Sequence, residues 1–268
     1  MDTEVIKGNW TALTPIHHGG SDDYGTTKLI LELPCIVGDE IIEVPTIHGN
    51  AVRGYLRRLI MQDFLDCLDY KLNSKKLYHF LMTGGMLEAN KKDAGSINLT
   101  LKKELRENIP PISLFGSALG NQMLQGKMKV GMGELVCKEL EENYEISAYN
   151  LKATDFGTRL DDLREATSED EPAHQMKYEF ETIIKGSKFM HEFVLEDCSE
   201  VEKSCFARIL SLWGERPFIG GKSNVGYGKI RLDYPTLNKY GDETYLEYLQ
   251  KNKEDITGFL DGLCQEWK

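Results

Sequence analysis

The stretch from Tyr178 to Tyr234 leaves the chain few ways to fold. Two runs of alternating apolar and polar residues, YEFETII and KFMHEFVLE, stand either side of Gly186-Ser187. Period-two alternation around such a turn predicts a hairpin of half-buried strands. Behind it Val201, Cys205, Arg208, Ile209 and Leu212 recur at helical spacing, predicting a helix over 200–213. The segment GERPFIGGKSNVGYGKIRLDY then carries a glycine-rich loop into a further strand. The first third of the chain supplies the complement, a weakly alternating strand over 4–14 and, after Asn50 as N-cap, a helix. That helix sets Val52, Tyr55, Leu56, Leu59 and Ile60 on one stripe that continues through Phe64 and Cys67. With the strands between, the order reads βαββαβ, which predicts an α+β, ferredoxin-like (RRM-like) core with insertions.

The remaining segments fit around that core. KLILELPCI and EIIEV flank Gly38-Asp39 as a second hairpin, after a polar loop over 16–27. A helical stretch over Lys75–Met82 precedes a Gly/Lys/Asn-rich connector at 84–98. PPISLFGSALGN is turn-rich, KMKVGMGELVCKEL predicts a strand, and 150–175 reads as an inserted arm. The tail from 240 to 268 is predicted helical. No period of about 20–50 residues repeats, so the expectation is one domain over 1–268 with insertions at 84–98 and 150–175.

No apolar run is long enough to span a membrane, and the start MDTEVIKGNW lacks the pattern of a secretion signal. A cytoplasmic protein is therefore expected. Six scattered cysteines without a CxxC pair argue against both a zinc site and a disulfide framework, and no metal ligand set is expected. The net charge of −11 argues against a general nucleic-acid surface. Its distribution softens this: Ala51–Met61 holds three arginines and no acid, and Arg216–Leu232 holds two arginines and two lysines and no acid. The acid concentrates at Asp161–Glu171 and after Tyr240. Two basic segments in an acidic chain suit a groove for one defined strand.

Three segments carry candidate chemistry. In GGKSNVGYGKI, Gly220, Gly221, Gly226 and Gly228 permit close backbone approach, and Lys222, Ser223 and Asn224 offer a cation and two neutral polar groups to a phosphate backbone. A nucleotide P-loop is excluded, since Arg216 stands where its first glycine belongs and a strand follows. In PTIHGNAVRGYLRR, Arg53 and Arg57 share a helix face near the positive pole of the dipole, suited to phosphate. Solvated arginines, or arginines paired with acids such as Asp63, are the plain alternative. In TPIHHGGSDDYG, His17 and His18 could act as acid and base or meet RNA bases, and Asp22 and Asp23 could hold magnesium or simply be solvated turn residues. Asp155-Phe156-Gly157 is set aside because no kinase glycine loop or HRD segment accompanies it.

In order along the chain, these segments resemble the RAMP superfamily of CRISPR proteins, most closely the backbone subunits of the CRISPR-associated seven family, type III and type IV. TPIHHGGSD resembles the family's G-L-H-I-G-G, Ile47–Gly54 its I-P-G-S-S-L-R-G, LFGSALG its LFG element, and IGGKSNVGYGKI its closing loop. The likeness spans about residues 10–235. It implies a subunit that binds a guide (crRNA) and stacks with copies of itself and other effector subunits, and the guide pairs with a complementary target strand. It makes His17, His18, Gly19, Asn50, Arg53, Arg57, Gly221, Lys222, Ser223 and Asn224 candidate guide contacts, with no cofactor. His48 and Asn50 stand where the family has proline and serine. Thr26 and Thr27 stand where target-cleaving relatives place the catalytic aspartate. A binding-only subunit is therefore expected ahead of a magnesium-dependent endoribonuclease using Asp22 or Asp23. A metal-independent guide-processing enzyme using His17 or His18 ranks last, because about 35 residues follow its glycine-rich loop.

Overall fold

The computed structural model describes residues 2–24, 27–87, 98–120, 122–140, 151–159, 176–234 and 240–266. The chain opens with strands β1 (Thr3–Ala12), β2 (Gly19–Tyr24), β3 (Thr27–Ile30), β4 (Glu32–Val37) and β5 (Glu40–Ile47). Helix α1 (Gly49–Leu68) follows, then α2 (Lys75–Tyr78), which runs into a π-helical turn at His79–Thr83. Next come β6 (Gly85–Leu87), α3 (Leu99–Asn108), α4 (Pro110–Phe115), β7 (Gly116–Gly120), β8 (Gln122–Gln125), β9 (Met128–Val130) and β10 (Gly133–Val136). The second half holds β11 (Lys152–Arg159), β12 (Met176–Ile183), β13 (Lys188–Glu196), α5 (Glu200–Glu215), β14 (Ile230–Asp233), α6 (Glu243–Lys251) and α7 (Lys253–Glu266).

The central sheet has the order β14-β1-β13-β10-β5-β4, with β9 pairing on β13. Taken in chain order, β1, α1, β10, β13, α5 and β14 are the βαββαβ core, and its four strands lie fourth-first-third-second, antiparallel throughout. The fold is ferredoxin-like, as the element order predicts. β1 explains how the layers form. Its alternation buries Ile6, Trp10 and Ala12 on one face, and the Trp10 ring meets Trp213 of α5 edge-on at 5.4 Å. The Trp10 indole N–H donates to the Tyr234 hydroxyl (2.8 Å), so its one polar atom is satisfied within the core. Arg208 on α5 pairs with Asp63 of α1 (2.6 Å) and with Asp242 before α6 (3.2 Å). Asp63 therefore pairs with α5, not with the arginines of its own helix.

A second sheet, β11-β12-β3-β2, and a small one, β6-β7-β8, stand apart from the core. The second sheet corrects the hairpin expected around Gly186-Ser187. Both strands exist, but β12 pairs with β11 and β3, whereas β13 pairs with β1 over nine residue positions. The turn changes sheets instead of zipping one hairpin. The stretch expected as a polar loop instead contributes strand β2, which pairs with β3. The hairpin at Gly38-Asp39 forms as expected, with Ile36 opposite Ile41. The expected strand in KMKVGMGELVCKEL is split into β9 and β10 at Gly131-Met132, and the α3 helix over Leu99–Asn108 had no counterpart in the sequence reading. Most of the two expected insertions, 88–97 and 160–175, lies outside the described residues. Among the described residues no helix is long and apolar enough to cross a membrane.

Candidate nucleic-acid interface

Two backbone turns bring the candidate segments together. The glycine-rich loop lies against residues 13–18: Gly221 N–H donates to the His17 carbonyl (2.7 Å), Gly228 N–H to the Pro15 carbonyl (2.8 Å), and Leu13 N–H to the Lys229 carbonyl (2.8 Å). Gly228 sits at φ +78°, and a Cβ there would lie 2.1 Å from the Ile219 carbonyl oxygen. Only glycine permits both the left-handed backbone and that approach. The loop tip is a 3-10 turn over Ser223–Val225, with Ser223 and Asn224 exposed.

The histidines hold this junction. His17 Nδ1 faces the Glu181 carbonyl at 2.8 Å, so it carries the ring proton and leaves Nε2 as an acceptor. His18 Nε2 accepts from the His48 backbone N–H (3.1 Å), and His48 Nδ1 accepts from the Asn50 N–H (3.1 Å). His48, not Asn50, is therefore the N-cap of α1, and Asn50 is left exposed. Burial first, then the neighbouring His48 and His17, holds His18 below the usual imidazole value. It is kept neutral, as an acceptor must be. Gly19 is exposed at the start of β2.

The two arginines part company. Arg53 is half-buried, its guanidinium 5.7 Å from the Phe115 ring centroid and donating from Nη2 to the Phe115 carbonyl. It lines a cleft of 270 Å³ with Gly84, Gly116 and Ser117. Arg57 is only 4% exposed. It donates from Nε to Leu81 O (2.6 Å), from Nη1 to Gly116 O (2.9 Å) and from Nη2 to Phe80 O (2.9 Å). The expectation of Arg57 as a phosphate contact is therefore corrected: its guanidinium is enclosed and joins α1 to the π-helical turn and to β7. Burial pushes it down to about 10, with Arg53 adding repulsion, so it stays charged at neutral pH.

The sequence reading missed the aromatic side of the junction. Lys222 is not extended into solvent; its ammonium lies 4.1 Å from the Phe180 ring centroid and 4.6 Å from that of Tyr178. His17 and Tyr227 meet Phe180 edge-on at 5.3 and 5.4 Å. The Tyr227 hydroxyl donates to Asp155, which the kinase comparison had set aside. That bond, with the Phe156 N–H, holds the Asp155 carboxyl below its usual value and pushes Tyr227 up to about 12. The signal was present in YEFETII, since Tyr178 and Phe180 are two apart and so share a strand face. Asp22 and Asp23 lie on β2, with Asp23 opposite Lys28; their side chains, and His174, are outside the described residues. Among the described residues no cluster of three His, Cys, Asp or Glu side chains could hold a metal.

Comparison with known proteins follows this geometry. No curated protein matches the chain. A solved structure titled "Type IV-B CRISPR Complex" contains a chain of similar fold, with TM-score 0.66 and 18% identity, covering 86% of this chain and 90% of that one. The model of the RAMP superfamily matches residues 10–231, which include the histidine segment, the α1 N-terminus and the glycine-rich loop, and the chain belongs to that superfamily.

Proposed function

We propose that this chain is a guide-RNA-binding backbone subunit of a CRISPR effector complex, lying along the guide with copies of itself and with other effector subunits, while the guide pairs with a complementary target strand. The observation that carries the reading is the junction itself. Backbone bonds hold the glycine-rich loop against His17, and His18 is hydrogen-bonded to the residue that caps α1. Exposed Asn50 follows that cap, and exposed Ser223 and Asn224 stand beside the cation Lys222 on the loop, in an otherwise acidic chain. Such neutral and cationic donors fit a phosphate backbone without reading its sequence, and base pairing is left to supply specificity. Likeness in fold to a chain of a CRISPR complex supports the assignment. Thr26 and Thr27, where cleaving relatives carry aspartate, favour binding over cleavage. A scaffold of this kind needs no cofactor, and the cytoplasm is its expected place.

The test is purification of the chain from cells co-expressing a repeat–spacer transcript, read by absorbance ratio, size exclusion and a denaturing gel. RNA of discrete length is expected with a high-mass oligomer. Affinity should fall with salt at a slope of about 0.7 per phosphate contact on a log–log plot. A monomer free of RNA at low salt would sink the reading.

A further inference from the structure

Lys222 has a backbone φ of +59°, in the left-handed region, within a loop whose Gly220, Gly226 and Gly228 take the same sign freely. A lysine there is strained where glycine would not be, so its side chain is the reason to examine. That side chain reaches across to two aromatic rings of β12, 4.1 and 4.6 Å from their centroids, and has no carboxylate partner among the described residues.

The rings beneath it are held firmly. Phe180 is 2% exposed and fixed edge-on by His17 and Tyr227. Tyr178 stacks on Phe180 at 27° and 6.0 Å. Across the strand pair stands Gly157, where a Cβ would lie 2.3 Å from Tyr178 Cζ, so the hydroxyl end of the tyrosine ring occupies the space a side chain there would fill. Tyr178 itself remains 37% exposed. The result is a preorganised, solvent-facing π surface beside the loop that would meet the phosphates, covered by a movable cation. A π face that attracts an ammonium also accepts a flat base.

We propose that Tyr178 is a stacking platform for one unpaired nucleobase of the bound strand, and that Lys222 covers this platform until the base arrives and then turns to a phosphate. This rests on the guide-binding reading and adds to it a base-stacking subsite and an exchange of partners. Stacking is indifferent to base identity, so the subsite fixes the position of the strand without selecting sequence.

The experiment uses the full chain and short single-stranded RNAs, each with 2-aminopurine at one position. One position is expected to lose fluorescence on binding. Tyr178→Ala should restore that fluorescence and weaken binding roughly tenfold, while Tyr178→Trp retains both, showing that the alanine effect is not misfolding. Lys222→Met should keep the quenching and lower the salt slope by about 0.7. Unchanged quenching in Tyr178→Ala, with RNA still bound, overturns the platform. Loss of quenching in Lys222→Met with an unchanged salt slope overturns the exchange. Failure of the unaltered chain to bind any of these RNAs at low salt overturns the guide-binding reading, and this proposal with it.

Discussion

Arg53 and Arg57 lie one turn apart on α1 and border the same cleft, yet Arg53 is half-buried and Arg57 almost wholly enclosed. Arg57 donates to three carbonyls from a position that water does not reach. Arg57→Met removes the donors to Leu81 O and Gly116 O and leaves Phe80 O with the Ser117 hydroxyl alone. The expected loss is about 3 kcal/mol or more, measured as a shift of the urea midpoint; Arg53→Ala should move that midpoint far less. Helical spacing places both arginines on one face, but what covers the face comes from Phe80, Leu81 and Gly116, far along the chain. Local pattern could not supply that. His18 is similar. Its ring accepts the His48 N–H and its protonation is disfavoured by burial, so the unfolded chain takes up a proton first as pH falls below about 6.5. Stability should therefore decline from pH 7 toward pH 5. His18→Gln, which can accept without titrating, should lessen that decline in the profile of thermal midpoint against pH, leaving the share of buried His191, held down to about 4.

Among the elements, the glycine-rich loop is the most exacting. Gly228→Ala meets both a φ of +78° and the Ile219 carbonyl at 2.1 Å, whereas Gly186→Ala meets a φ of +91° with nothing within 4 Å. The first should displace the loop and reduce co-purified RNA severalfold. The second should cost about 1 kcal/mol and leave RNA retention intact; circular dichroism and gel densitometry check the pair. Strands and helices of the core were legible because alternation and helical stripes report burial of one face. Pairing was not. YEFETII and KFMHEFVLE read as each other's partners because they are adjacent, but β12 completes its ladder with β11 and β3, and β13 with β1. The α1 cap was misassigned for a related reason: Asn50 is the better capping residue by type, and His48 takes the role because His18 already fixes its backbone N–H.

For the molecule as a whole, the order of elements was enough to give the ferredoxin-like core. The charge distribution was enough to point at two segments despite a net −11. The candidate site was legible in its glycines and histidines and hidden in its aromatics. Tyr178, Phe180 and Tyr227 acquire meaning only once β12 lies beside the loop, a relation set by tertiary packing. The same crossing has a mechanical side. After Ile183 the backbone needs only residues 184–187 to leave the outer sheet and become β13, whose neighbours are β1 on one edge and β9 and β10 on the other. Whatever tugs on the strand pair β11–β12 is therefore passed to β13. Nine register positions against β1 hold that strand in place. The outer pair is thus joined by a four-residue link to a strand in the middle of the central sheet.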